Sequence, residues 1–251
     1  MDKLELLKSR RSVRSFTTEP LPKAVINKLR AEITMTNTHE QGFRFQLITD
    51  DPNPLRGVSK FYGSFRNPRN YLAAVVDTAT PNALERAGYF AERFVVQAIS
   101  EGLGTCFVGS TFNRKEVNAQ IRAGEEILFL VLVGYPAEKE KAGARLMSRI
   151  VHLRKKTYKD FFQPERELEA ACRTCQDLKD GLEGIACAPS ALNRQPVRVF
   201  LKEIEGREVA CAKVDNEGGY NLIDLGIAKF NYNFATSTEC EWGNGSPLVV
   251  V

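Results

Sequence analysis

Residues 41–47, Gln41-Gly42-Phe43-Arg44-Phe45-Gln46-Leu47, return in outline at residues 195–201 as Gln195-Pro196-Val197-Arg198-Val199-Phe200-Leu201. Gln, Arg and Leu hold equivalent positions in both copies. Apolar residues fall at every second place, the period of a half-buried strand. A second likeness comes in the same order: the segment from Phe90-Ala91 to Ala98 lies over that from Ile227-Ala228 to Ala235. Two matches in one order point to a duplicated unit. The spacing, about 140–155 residues, is far longer than a solenoid repeat. The chain therefore reads as one unit spanning 1–251, built of two subunit-like halves, about 1–160 and about 161–251.

The segments around these copies mix helical and strand periods. Pro22 opens a segment with Val25, Ile26, Leu29 and Ile33 at helical spacing. Asp50 to Pro54 is a turn cluster, and Tyr71 to Val76 a short apolar strand. Ala83 to Glu101 is the clearest helix, with Ala87, Phe90, Ala91, Phe94, Val95, Ala98 and Ile99 on one face and Gly102 at its end. Ile127 to Val133 reads as a buried strand, and 138–159 as a polar, basic connector. In the second half, 165–179 looks helical, Tyr220 to Thr236 can form a helix, and Pro247 to Val251 a terminal strand. Such a mixture predicts an α+β or α/β fold.

The chain of 251 residues has 43% hydrophobic and 26% charged residues, an ordinary globular balance. No apolar run approaches the ~20 residues of a membrane span. The charged start MDKLELLKSRR lacks the apolar core of a signal peptide, so the cytoplasm is the expected compartment. A net charge of +4 is too mild to argue for nucleic acid. Six cysteines at irregular spacing read as free thiols. Cys172-Arg-Thr-Cys175 is a CxxC, but with only His39 and His152 in the chain a zinc site lacks its other ligands. The bland reading is two thiols a turn apart on a helix. No metal is expected.

Three stretches carry chemistry. Arg10-Arg11-Ser12-Val13-Arg14 offers three guanidiniums and a hydroxyl, which suit a phosphate or an anionic ring edge through bidentate, charge-assisted hydrogen bonds. The bland alternative is a solvated basic helix end. Ala188-Pro189-Ser190-Ala191-Leu192-Asn193-Arg194-Gln195-Pro196 is a small polar loop bracketed by prolines. Its amide can pair with a heterocycle edge, or the loop can be an ordinary turn. Gly102-Leu103-Gly104-Thr105-Cys106-Phe107-Val108-Gly109-Ser110 has neither the GxGxxG spacing nor a P-loop lysine, which argues against a dinucleotide site.

Taken together, these motifs resemble the FMN-dependent nitroreductase family. RRSVRSF followed by PLP and a helix resembles its opening, and APSALNRQP its PSxxNxQPW loop. EGLGTCFVGS and LVLVGYPAEK resemble its glycine turn and the strand after it. Relatives of this kind are usually homodimers with FMN at the interface, the RRSxR stretch coming from one subunit and the PSxxN loop from the other. Here RRSxR occurs only in the first half and the loop is intact only in the second. At the equivalent first-half position, 35–41, Thr36 stands where Ser190 is and His39 where Asn193 is. The chain thus resembles the tandem subgroup named putative TM nitroreductases, an internally duplicated pseudo-dimer, monomeric or weakly homodimeric.

The resemblance implies one FMN per chain, held by Arg10, Arg11, Ser12 and Arg14, by Gly109 and Ser110 beside the flavin N5, by Arg154 and Lys156 at the phosphate, and by Pro189, Ser190, Ala191 and Asn193. Val197 replaces the usual Trp. It further implies ping-pong hydride transfer from NAD(P)H to nitroaromatic, quinone or related acceptors, without a catalytic side chain, because the flavin carries the chemistry. The competing reading is a non-catalytic flavin-binding or flavin-storage protein. A basic interaction module without cofactor is a third reading, supported only by Arg145–Lys159.

Overall fold

The computed structural model describes residues 2–56, 65–138, 156–162 and 166–249. Arg145, Arg149, Arg154 and most of the basic connector lie outside the described residues. Helices α1 (Lys3–Ser9), α2 (Lys23–His39), α3 (Ala83–Ser100), α4 (Arg166–Thr174), α5 (Gln176–Cys187) and α6 (Asn221–Thr236) accompany strands β1 (Phe43–Ile48), β2 (Tyr71–Asp77), β3 (Gly104–Val108), β4 (Glu125–Gly134), β5 (Arg198–Ile204) and β6 (Arg207–Lys213). Every named strand pairing is antiparallel, which makes the fold α+β. The order helix–strand–strand–helix occurs twice, as α2-β1-β2-α3 and α5-β5-β6-α6.

The chain divides into two compact units. The first, residues 10–83 and 93–153, holds a four-stranded sheet in the order β1-β2-β4-β3. β2 is central, and Tyr71 to Val76 are all buried, so it reads as a continuous apolar run. β1 alternates instead, burying Phe43 and Phe45 while Arg44 reaches Glu125 at 2.7 Å. Val13, Phe16, Tyr71, Val75, Leu130 and Leu132 share one core. Gly102 ends α3 at φ +78, a conformation that favours glycine, and the Leu103 N–H reaches back 3.0 Å to the Ala98 carbonyl.

α2 continues six residues past Ile33, to His39, because Thr36 is buried and the Asn37 amide grips both backbone groups of Phe45. Thr36 and His39 therefore sit in a helix, whereas their counterparts Ser190 and Asn193 sit in a loop. β3 occupies a stretch that reads in sequence as a glycine turn.

The second unit comprises Met1–Ser9, Leu84–Glu92 and Arg154–Val251. Its helices meet at glycines. A Cβ on Gly181 would enter the Tyr232 ring, and one on Gly184 would strike the Asn231 carbonyl. The first half of α3 crosses α6 reciprocally. A Cβ on Gly88 would overlap the Ile223 carbonyl oxygen, and one on Gly226 would overlap that of Glu85. Residues 85 and 223, and 88 and 226, are each 138 apart, one more than the offset of the sequence match. Each helix thus brings a glycine against a carbonyl of the other, a reciprocal contact of the kind two-fold interfaces make.

β5 and β6 form a hairpin through Glu205-Gly206, both at positive φ, as a tight two-residue turn requires. The sequence pattern does not announce β6. The expected terminal strand is reduced, among the described residues, to an isolated bridge between Pro247 and Cys211.

Candidate functional site

In the sheet unit, residues 12–16 run extended. Ser12 forms a parallel bridge with Thr105 of β3, and the Val13 N–H donates to the Thr105 carbonyl at 2.8 Å. They are a strand-like strip, not the end of a helix. In such a strip alternate residues share a face. Val13 and Ser15 are buried, Ser12 and Arg14 half-buried and Arg11 exposed. Arg10, Ser12 and Arg14 converge on the buried Cys106 thiol. Burial pushes that thiol up, while Arg14, Arg10 and the Ser12 hydroxyl pull it down. The Arg10 Nε is buried and has no hydrogen-bond partner among the described residues. An unmet buried donor costs about 1–3 kcal/mol, so this guanidinium is set up for an acceptor. Gly109 and Ser110 come directly after β3, half-buried and exposed, and the Gly109 carbonyl accepts from Arg114 at 3.4 Å.

In the helical unit, α5 stops at Cys187 and Pro189 prevents its continuation. The loop beyond it is tightly bonded. The Ser190 hydroxyl accepts from the Gln195 N–H at 2.8 Å, and the Asn193 N–H donates to the Ser190 carbonyl at 2.9 Å. Leu192, Asn193 and Gln195 adopt φ of 56°, 52° and 46°. Left-handed backbone is unfavourable for non-glycine residues, and such strain clusters at functional loops. Leu192 is nearly half exposed at 49%.

Two residues absent from the sequence-derived site hold this loop. Gln195, buried, donates its amide to the Ala186 carbonyl and accepts from the Lys156 N–H. Asp224, on the first turn of α6, accepts the Ala191 N–H at 3.1 and 3.2 Å with its two oxygens. It is 4% exposed, and burial pushes its carboxyl up to about 7 against the opposing pull of Ala191 and Arg194. Phe161, Pro189, Ser190, Gln195, Val197 and Asp224 line a small cleft. Lys156 donates its ammonium to the Gln195 carbonyl at 2.8 Å, and burial pulls its pKa down. It is thus placed against the loop backbone. An aspartate in the first turn of a helix is commonplace in sequence, so only the tertiary burial of Asp224 marks it.

The donor set fits FMN in kind. Guanidiniums and a hydroxyl on one face suit an anionic group, and the orphaned Arg10 Nε supplies a donor awaiting an oxygen or ring nitrogen. Among the described residues no cluster of three or more His, Cys, Asp or Glu could hold a metal, and no helix is long and apolar enough to cross a membrane.

The family described as "Putative TM nitroreductase" matches residues 2–236. A putative nitroreductase structure from Thermotoga maritima MSB8 aligns with 94% of this chain and 83% of its own, at 20% identity and a TM-score of 0.57. An FMN-dependent nitroreductase from Clostridium difficile R20291 aligns with 55% of this chain and 89% of its own, at 20% identity and a TM-score of 0.45. A protein named Cr(VI) reductase, from Pseudomonas sp. (strain G-1), is 26% identical over 180 residues, covering 59% of this chain and 72% of its own.

Proposed function

From the premise that the chain belongs to the Putative TM nitroreductase family, we propose that it is an oxidoreductase that holds one FMN and passes electrons from NAD(P)H to a small-molecule acceptor. The observation that carries this reading is the buried, unpartnered Arg10 Nε on the face shared with Ser12 and Arg14. When bound, FMN supplies two-electron hydride chemistry that no side chain of the chain can provide. Arg10 and Arg14 stabilise negative charge on the cofactor, and Ser12 adds a hydroxyl hydrogen bond. The backbone of 189–193, locked by Gln195 and Asp224, offers a fixed polar edge. Gly109 and Ser110 leave room for close approach to a flat ring. Arg154 and Lys156 are the remaining proposed phosphate ligands. The doubled helix–strand–strand–helix order and the reciprocal crossing at Gly88 and Gly226 support reading the chain as a fused pair of halves.

Ser12→Ala with Arg14→Ala removes charge-assisted bonds worth about 1.5–3 kcal/mol each. FMN affinity should fall about a hundredfold or more, measured by flavin fluorescence quenching. Asn193→Ala should also weaken binding, and unchanged affinity in that variant would refute a contribution from the loop. The purified chain should bind FMN, and anaerobic NAD(P)H should bleach it. Bound flavin that NAD(P)H cannot reduce would favour storage over turnover, and failure to bind FMN would overturn both. An acceptor panel of nitroaromatics, quinones and Cr(VI) then separates substrates. Chromate is included because of the name carried by the 26% identical relative.

A further inference from the structure

Four of the six cysteines, Cys106, Cys187, Cys211 and Cys240, are buried, whereas Cys172 is half-buried and Cys175 exposed. The sequence places the last two on one continuous helix. The structure breaks that helix at Cys175. α4 ends at Thr174, α5 begins at Gln176, and Cys175 is extended, with φ −121° and ψ 104°. The Cys175 N–H still donates to the Ala171 carbonyl at 2.9 Å, so residues 171–175 complete one α-turn before the chain departs.

That arrangement suits a disulfide. Helix geometry puts Cα atoms three residues apart at about 5 Å, inside the roughly 4.4–6.8 Å span of disulfides. On a regular helix the two Cβ atoms stand about 5–6 Å apart, wider than an S–S link allows. The non-helical φ of Cys175 takes its Cβ out of that regular direction. Cys175 occupies the N-cap position of α5 without a side-chain capping hydrogen bond, so no such bond has to be given up. The two sulfurs sense each other: burial, and next the neighbouring Cys175, push the Cys172 thiol up to about 11, while Lys179 opposes them. Burial, and after it both thiols, push up the Tyr232 phenol of α6.

We propose that Cys172 and Cys175 form a reversible dithiol–disulfide centre that exchanges with small-molecule disulfides. The exposed Cys175, as thiolate, attacks one sulfur of a disulfide RSSR. An S–S bond forms to Cys175, the R–S–S–R bond breaks, and RS⁻ leaves. Cys172, deprotonated in turn, attacks the Cys175 sulfur of the mixed disulfide and expels the second RS⁻. The protein dithiol is oxidised by two electrons, RSSR is reduced to two thiols, and the two protons of the dithiol end on the released thiols. The exposed thiol makes first contact and the half-buried one resolves. This centre does not depend on flavin binding.

The test uses the full chain in glutathione buffers of rising disulfide fraction, quenched with acid, alkylated and mapped by peptide mass spectrometry. In the most oxidising buffer the peptide carrying both residues should lose two hydrogens and take no alkyl group, and dithiothreitol should reverse this. Cys172→Ser should stop at one glutathionyl group on Cys175. Cys175→Ser should react about tenfold more slowly, because the remaining thiol is less accessible. The proposal is overturned if both wild-type thiols remain alkylatable in the oxidising buffer while circular dichroism shows an intact fold. It is equally overturned if the disulfide links two chains, or if Cys172→Ser accumulates no mixed disulfide.

Discussion

Lys229→Met is expected to cost about 3–5 kcal/mol of folding free energy. Lys229 and Glu85 are 0% and 1% exposed and lie 2.6 Å apart. The ammonium donates to the carbonyls of Glu241 and Gly243, each at 2.9 Å, and faces Glu85 as an ion pair. Glu85 in turn accepts the Gly243 N–H at 2.9 Å. Methionine fills the same volume but leaves a buried carboxylate without its cation and two carbonyls without a donor. A buried pair is weak evidence for stability, since an apolar replacement of both partners can be neutral, but removal of one partner is costly. The double variant Glu85→Gln with Lys229→Met should therefore recover part of the loss, with a coupling energy above about 1 kcal/mol. The sole tryptophan reports on the site. Trp242 lies between the two carbonyls that Lys229 holds, with the Tyr89 ring at 5.1 Å and the Arg86 guanidinium at 5.0 Å. Urea unfolding followed by its fluorescence gives both numbers. A loss below about 1 kcal/mol in Lys229→Met would show that the pair does not hold the 241–243 segment.

The elements that sequence periodicity reveals are those whose burial follows their own period. β1 alternates, the core of β4 is a continuous apolar run, and α3 carries one apolar stripe, so local pattern and tertiary environment agree. The misreadings arise where a distant partner decides. The last turns of α2, Met35 to His39, have polar and β-branched residues, and they hold because Asn37 docks the Phe45 backbone. β3 begins with Gly104 because a Cβ there would collide with the Val13 side chain, so the glycine marks close packing and not a turn. The break at Cys175 carries no glycine or proline to announce it. The RRSxR and PSxxN stretches are legible as motifs. That Arg10, Ser12 and Arg14 share a face while Arg11 does not is apparent only once the segment is known to be extended. Gln195 reads in sequence as a strand-entry residue, and its function as the brace of the loop depends on Lys156 and Ala186.

Asp224→Asn should stabilise the protein, and only above acidic pH. A carboxyl near 3.9 in the unfolded chain is raised to about 7 in the fold, chiefly by burial. The folded state therefore holds more protons than the unfolded state between those values, and stability falls as pH rises through that window. Below about pH 4 the carboxyl is protonated in both states and the penalty vanishes. Above about pH 7 the penalty is complete, on the order of 4 kcal/mol from the size of the shift. Asparagine stays neutral throughout and keeps one oxygen for the Ala191 N–H. Urea midpoints of the two proteins should nearly coincide at about pH 4 and diverge by several kcal/mol at about pH 8. An offset that does not change between those pH values would rule out ionisation of Asp224 as the cause. A costly buried carboxylate is usually kept where it serves a site. Its two oxygens receive the Ala191 N–H inside a loop strained at Leu192, Asn193 and Gln195, and a charged acceptor holds that N–H more strongly than a neutral one. If the loop binds FMN, Asp224→Asn should lose affinity several-fold at about pH 8 even as it gains stability. Opposite movement of the two quantities separates a residue that positions the loop from one that merely fills the helix, since a purely structural role would leave affinity unchanged.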